Sequence, residues 1–561
     1  MKQKTGKLKL ILILVAIAIA IKYIFVDFGI DAEFQITMSY RWATGDKFFL
    51  QMWEPYMTST FICGAFIRLY LALFHTTTGL VIFLQAVGTL INLGVSLILY
   101  HTVKKYTASE NAAFAMAWIF FIVSPKDIPL ADYSNMQMWF TMLLCLCLFV
   151  YEQTKKTGMI ILAGVWMCAV ILSYPSCLIV AFAVLIYLLC RKRFGAAALF
   201  VGTCLVIGGV YMIPILRRLS VSELLEQIKN ILALETSHAG FGGKILSYIK
   251  ELSTVVLLFA ICFGLSFVLS KLMTKKTPDE QRKNRLLLLA DIFFYGLIFL
   301  AAVYAEIRAL KYTRYAYTLL FVALILIGTH FVKKLSPVQR NLYIICTLLS
   351  LMNFLSTILF SNLYLIASVP YLLIATVAAV MPVCAAIREV RTEWGKPRLA
   401  TLLMVSIFVF LAAKNILVIR PMQYDVNTLW NIRGVVKSGP AVGIFSEYMG
   451  PYIQNETMKE WKEYVPQGSH IYLIGEPLDT LGYLYADTKI SAPSLVPTPG
   501  YNETVLKYWE QNPQKYPNMI IASCWYGNLM MDPDSWILDW IEKEYKPSKV
   551  IDGKYWRYYY R

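Results

Sequence analysis

Long apolar runs, broken by short charged stretches, fill the first three-quarters of the chain. A helix needs roughly 20 apolar residues to cross a bilayer. Thirteen runs approach that length, at 8–26, 79–102, 110–124, 136–151, 158–173, 175–190, 195–215, 253–271, 286–304, 313–332, 340–360, 363–386 and 399–419. The run FICGAFIRLYLALF (61–74) is shorter and carries Arg68. It reads as a helix lying in the interface, with the arginine snorkelling to headgroups. Past residue 420 the pattern changes. HIYLIGEP (470–477), NMIIASCW (518–525) and KYWRYYY (554–560) read as strands. ETMKEWKEYV (456–465), ETVLKYWEQN (503–512) and DSWILDWIEKEY (534–545) read as helices. Such alternation predicts a small α/β domain. The expected architecture is a polytopic α-helical membrane protein of about 13 transmembrane helices over 1–419, with an α/β domain over 420–561.

Composition supports the membrane class. Of 561 residues, 58% are hydrophobic and only 16% charged, against about 25% charged in soluble proteins. The first run is too long for a signal-peptide core and lacks a small-residue cleavage site, so it reads as a retained anchor. The net charge of +17 would suit a nucleic-acid partner if it sat on one face. Instead the basic residues alternate between loops: Lys2 to Lys9, Lys104 and Lys105, Lys155 and Lys156, Arg191 to Arg193, 271–285, Lys333 to Arg340, and Arg388 to Arg398. Every second loop is basic, which places the N-terminus in the cytoplasm. An odd number of spans then makes the α/β domain extracytoplasmic. No nucleic-acid partner is expected. The eleven cysteines lack metal-type spacing, and only Cys524 lies in the tail, which excludes a disulfide within it.

The first outer loop, 27–78, opens with an acidic and aromatic stretch, VDFGIDAEFQITMSYRWATGD (26–46). The bland reading of Asp27, Asp31 and Glu33 is a solvated flank. Three features weigh against it. Phe28, Phe34, Tyr40 and Trp42 predict a segment lying at the lipid surface. Trp53-Glu54-Pro55-Tyr56 and the interfacial helix extend it into a platform. A later outer loop, YAEIRALKYTRYAY (304–317), offers Arg308, Lys311 and Arg314 at the same depth. An enzyme acting on a lipid-phosphate-linked substrate needs both signs there. A cation stabilises the departing phosphate. A carboxylate takes the proton of the attacking hydroxyl.

The order of features from about residue 8 to 330 resembles the GT-C superfamily of polytopic glycosyltransferases. It is similar above all to the protein O-mannosyltransferase, aminoarabinose-transferase and rhizobial lipopolysaccharide-transferase branches. DAEFQITMSYRWATGD is similar to that family's D-E-x-x-Y-x-x-x-A-x-x-x-x-x-G pattern, with Ala32 between the two acids. WEPYMTSTFICGAFIRLYLALF stands where the family has a Pro-containing stretch and an interfacial helix. KYTRYAYTLL resembles its Arg-Tyr element opening a late span. The resemblance implies a catalytic role for Asp31, with Glu33 as the runner-up base. It implies that Arg314 binds the donor phosphate, supported by Lys311 and Arg308. It makes Asp132 a candidate for metal or acceptor binding. Asp31, Glu33 and Asp132 are hard oxygen ligands suited to Mg²⁺ or Mn²⁺, although the branches resembled are generally metal-independent.

The expected function is therefore an integral membrane glycosyltransferase, set against three rivals. Its donor is a polyprenyl-phosphate sugar. Its acceptor is a hydroxyl of an envelope glycan, lipid or protein on the outer face, with inversion at the anomeric carbon. The first rival is a transporter or flippase for lipid-linked glycans, which would carry charges near the bilayer midplane or a repeated half. The second is a glycan polymerase or ligase of another polytopic family, which would rely on a large late outer loop with arginine and histidine, whereas here the acids come first. The third is a non-catalytic envelope assembly protein. Other polar residues have plainer readings: Asp27 as flank, Asp46 as a turn cap, His238 as solvated, Asp291 reaching headgroups, and Tyr174-Pro175 as a tight turn.

Overall fold

Each of the thirteen apolar runs is helical over most of its described residues. The computed structural model describes residues 2–124, 128–235, 241–275, 279–308, 314–360, 365–394, 397–419, 427–474, 477–495, 501–526, 528–530 and 535–561. The helices are α1 (Lys2–Phe25), α2 (Ile30–Ala43), α3 (Thr60–Phe74), α4 (Leu80–Thr107), α5 (Glu110–Ile122), α6 (Tyr133–Thr154), α7 (Thr157–Ser173), α8 (Leu178–Cys190), α9 (Phe194–Leu216), α10 (Val221–Glu235), α11 (Phe241–Thr274), α12 (Glu280–Arg308), α13 (Arg314–Phe331), α14 (Pro337–Phe360), the single turn α15 (Leu365–Ser368), α16 (Leu373–Trp394) and α17 (Pro397–Leu417). Among the described residues nine helices are long and apolar enough to cross a membrane, α3 with its leading turn included. That inclusion changes the picture for α3, which the sequence suggested was too short to span.

A single large core unites α1, α4 to α9, α13, α14, α16 and α17. Polar side chains tie it together. Asn353 donates to Thr141 Oγ1 at 2.8 Å and Trp139 Nε1 to Asn92 Oδ1 at 3.0 Å, while Ser176 and Ser356 meet at 2.9 Å. Such bonds between helices are effective where no water competes for the groups.

The tail forms a mixed sheet. Its strands are β1 (His470–Ile474), β2 (Lys489–Ile490), β3 (Met519–Trp525), β4 (Asn528–Leu529), β5 (Lys549–Asp552) and β6 (Trp556–Tyr560), in the spatial order β2-β1-β3-β6-β5, with β4 paired off β3. The β1 pairings are parallel and the β6 pairings antiparallel. The three strand segments expected from sequence are β1, β3 and β6. The three expected helices are Met449–Tyr464, Tyr501–Gln511 and Trp536–Trp540, the last continued by one wider turn to Tyr545. Tyr555, Trp556, Tyr558 and Tyr559 are buried, so the aromatic C-terminus is core rather than a sugar platform.

The tail does not own its core. One apolar cluster joins Phe28, Ile36, Met38, Trp53 and Leu84 to Trp461, Ile471, Tyr508, Ile520 and Tyr558. A boundary drawn between 419 and 420 therefore divides the chain but not its packing. The first segment after α1 folds with the tail. This corrects the expectation of a loop spread on lipid: Ala32 to Arg41 of α2 are all buried by protein.

Candidate functional site

The turn that starts α2 is built by Asp27. Its φ is +63°, in the left-handed region that Asp tolerates better than most residues. Its carboxylate accepts from the Phe28 N–H at 2.7 Å, its carbonyl from Gln85 at 2.7 Å, and its own N–H donates to Phe445 O at 2.9 Å. Asp27 is 1% exposed, so it is a buried corner and not a solvated flank. Gly29 then caps α2, and Asp31 and Glu33 fall in its first turn, where the helix dipole favours negative charge.

Two residues apart on a helix are about 200° apart around its axis. Asp31 and Glu33 therefore leave α2 on opposite sides. Glu33 is 3% exposed, whereas Asp31 is half-buried. Asp31 Oδ1 accepts from the Tyr133 hydroxyl at 3.4 Å. Tyr133 stacks on Tyr56 with ring centres 4.5 Å apart and planes 11° from parallel. Tyr56 stacks in turn on Tyr174 at 5.2 Å. Behind them Tyr371 meets Ser134 Oγ at 2.7 Å. Asp31 and Asp132 both act electrostatically on the Tyr133 and Tyr371 hydroxyls. Two acids and four tyrosines thus gather at one end of α2, with Asp31, Tyr56 and Tyr133 half-buried and Tyr174 and Tyr371 sealed behind.

Asp132 reaches this cluster through a close backbone approach. Segment 128–130 lies against α4 at Gly88, where an added Cβ would sit 1.8 Å from the Pro129 carbonyl oxygen. Asp132 then caps α6, accepting from the Asn135 N–H at 2.7 Å. A cap contributes about 1 kcal/mol, so Asp132 has a structural task as well as its place beside Tyr133. Among the described residues no group of three His, Cys, Asp or Glu side chains assembles as a metal site.

Of the expected phosphate-binding cations, Lys311 lies outside the described residues, as do the side chains of Arg308 and Arg314. Their backbone positions end α12 and begin α13. One turn past Arg314, Tyr317 is buried, bonded to Asn415 at 3.1 Å, with the Lys414 ammonium 3.8 Å above its ring. The α13 helix packs on the turn Val369–Leu372 that carries Tyr371. His238 also lies outside the described residues. Asp291 finds His330 at 3.5 Å, a partner the sequence reading did not give it.

The other end of α2 holds a second polar cluster. Arg41, 1% exposed, donates to Asp46 Oδ2 at 2.6 Å and to the Tyr508 hydroxyl at 2.9 Å, and lies 3.7 Å from Glu54. Glu54 accepts from Ser494 Oγ and the Leu495 N–H, both at 2.7 Å. Lys515 closes on the other oxygen of Asp46. Two cations and two carboxylates balance. Burial pushes the Lys515 ammonium below its ordinary range despite Asp46. Burial also opposes the charge on Arg41, but Tyr508, Asp46 and Glu54 hold it firmly protonated. Asp46 is thus half of a buried ion-pair network rather than a turn cap. Arg68, expected to snorkel, instead covers the end of α2: it donates to Ala43 O at 3.2 Å and Trp42 O at 3.1 Å, and lies 3.9 Å over the Trp42 ring.

Sequence reasoning named Asp31 and Asp132 but missed Tyr133 and Tyr371 as their companions. The adjacency of Tyr133 to Asp132 was the available signal. Nothing local points to Tyr371. No protein-family model matches the chain, and no curated protein matches it.

Proposed function

We propose that the chain is a membrane glycosyltransferase of GT-C type, moving a sugar from a polyprenyl phosphate to a hydroxyl of an envelope glycan, lipid or protein. In this reading thirteen helices span the membrane, the N-terminus is cytoplasmic, and the tail and the Asp31 cluster lie on the outer face. The alternating basic loops support that orientation.

The observation that carries the proposal is Asp31 itself. It is a carboxylate left half-buried at the start of an otherwise enclosed helix, hydrogen-bonded by Tyr133 and flanked by stacked tyrosine faces. A carboxylate so held can accept the proton of an acceptor hydroxyl. As that oxygen bonds the anomeric carbon, the bond from carbon to phosphate oxygen breaks, and the phosphate leaves with the electron pair. Arg314, Lys311 and Arg308 are proposed to hold it. Attack opposite the leaving group inverts the anomeric centre. Tyr56 and Tyr133 offer ring faces against which a sugar can lie.

The test is transfer from a radiolabelled polyprenyl-phosphate sugar to endogenous acceptor in membranes carrying the chain, with and without chelator. Asp31→Asn and Arg314→Ala membranes should each lose transfer. Loss in chelator would assign a Mg²⁺ or Mn²⁺ ion near Asp31 and Asp132. Full transfer by both variants rules the proposal out, and movement of the lipid-linked sugar across liposomes without transfer favours a flippase.

A further inference from the structure

A cavity lies where the turn between α3 and α4 meets the tail. It measures about 750 Å³, within the range of small-ligand sites. Thr76, Thr78, Lys437, Lys462, Gln467 and Tyr485 are among the residues lining it. It is separate from the Asp31 cluster: Asp487, which also lines it, bonds the hydroxyl of Tyr40. Nine residues along α2 put Tyr40 about 14 Å from Asp31.

The walls have a particular chemistry. Lys437 and Lys462 are exposed, and among the described residues neither has an ion-pair partner. Asp487 is the sole lining carboxylate among the described residues, and it is engaged by Tyr40. The balance is positive. Around the ammonium groups stand hydroxyls and an amide. Tyr485, packed edge-on against Trp461 at 5.6 Å, contributes one aromatic wall. No arginine lines the cavity among the described residues, so no planar fork suited to a phosphodiester chain is present. Separate ammonium point charges among hydroxyls, the His75 imidazole and the Tyr485 ring suit a polyhydroxyl ligand with isolated negative charges.

We infer that this cleft binds an acidic oligosaccharide, carrying carboxylate or phosphate on its rings. The inference concerns binding alone and does not rest on the transfer chemistry proposed above.

Calorimetry on the full-length chain in detergent tests it, with trigalacturonate, its neutral methyl ester and inorganic phosphate as probes, and a phosphorylated trisaccharide to separate the two anions. An acidic trisaccharide should bind, weaken with salt, and lose at least tenfold in affinity in the Lys437→Ala/Lys462→Ala double variant. Lys549→Ala, a charge removed from the far edge of the sheet, should leave binding unchanged. Both lysines are exposed, so their loss should not unfold the chain; Asp31→Asn should bind like the parent. The inference is overturned if the neutral ester or phosphate alone binds as well as the acidic sugar. Absence of acidic-sugar binding, or indifference to the double variant, overturns it too.

Discussion

The two ends of α2 differ in how fully they enclose charge. At the Arg41 end, each ion has at least one counter-ion within 4 Å and is enclosed by protein from both the tail and the segment after α1. At the Asp31 end, the carboxylate is half-buried, beside a second acid, with tyrosine hydroxyls as the neighbours in view. Both ends share one helix and one apolar core. A network meant to fix structure balances its charges, because an unbalanced buried ion costs several kcal/mol. A site meant for chemistry keeps a charged atom accessible to something that arrives later. By exposure, the half-buried Asp31 stands apart from Glu33 and Asp46, acids of the same segment that are buried.

The contrast can be broken in order of expected size. Asp31→Asn should reduce transfer about 10²–10⁴-fold while leaving the unfolding transition of the purified chain in place; a matching loss of thermal stability would make Asp31 structural instead. Arg41→Met should do the reverse. It removes the counter-ion of buried Glu54 and leaves Asp46 with Lys515 alone, and should destabilise the folded chain by about 3–5 kcal/mol, read as lost monodisperse protein on fluorescence-detected size exclusion. An Arg41→Met protein as stable as the parent would dissolve the distinction between the two ends. Gly88→Ala forces Pro129 away from α4 and should cost about 1–3 kcal/mol. It should also lower transfer, because Asp132 and Tyr133 follow directly; unaltered transfer would disconnect that segment from the site.

The smallest effect is a pH dependence in the tail. Burial lowers the pKa of His470 below its ordinary 6.5, so folded His470 gives up its proton more readily than unfolded His470. The unfolded chain therefore binds more protons between the folded value and 6.5. Stability from this residue is complete above pH 6.5 and is lost as pH falls through that window. His470→Gln should flatten this part of a melting-temperature profile between pH 7.5 and 5.5. An unchanged slope would assign the dependence elsewhere.

The sequence made the helices legible because spanning length is a local property: twenty apolar residues announce themselves without reference to any partner. It made Asp31 legible for a similar reason, since an acid beside an anchor is a visible conflict. It misplaced Asp27, Asp46 and Arg68 because their roles depend on distant partners. Asp27 turns the chain only because Gln85 and Phe445 bind its backbone. Asp46 is paired by Lys515, 469 residues away. Arg68 is drawn from the headgroups by a ring and two carbonyls at the end of α2. Nothing periodic in the sequence encodes such long-range partnerships. The same blindness hid the shared core, because α2 reads as amphipathic whether lipid or the tail covers it.

That shared core sets a schedule for making the protein. Glu54 bonds Ser494, 440 positions later, and Arg41 bonds Tyr508, 467 positions later. At about 5–20 residues per second, a ribosome takes roughly 20–90 s to bridge such an interval. Throughout that time α2 has emerged without the surfaces that will enclose it, a delay that invites chaperone attention and proteolysis. The helix carrying Asp31 is synthesised long before the residues that enclose it, so only a chain translated through Tyr508 can complete it.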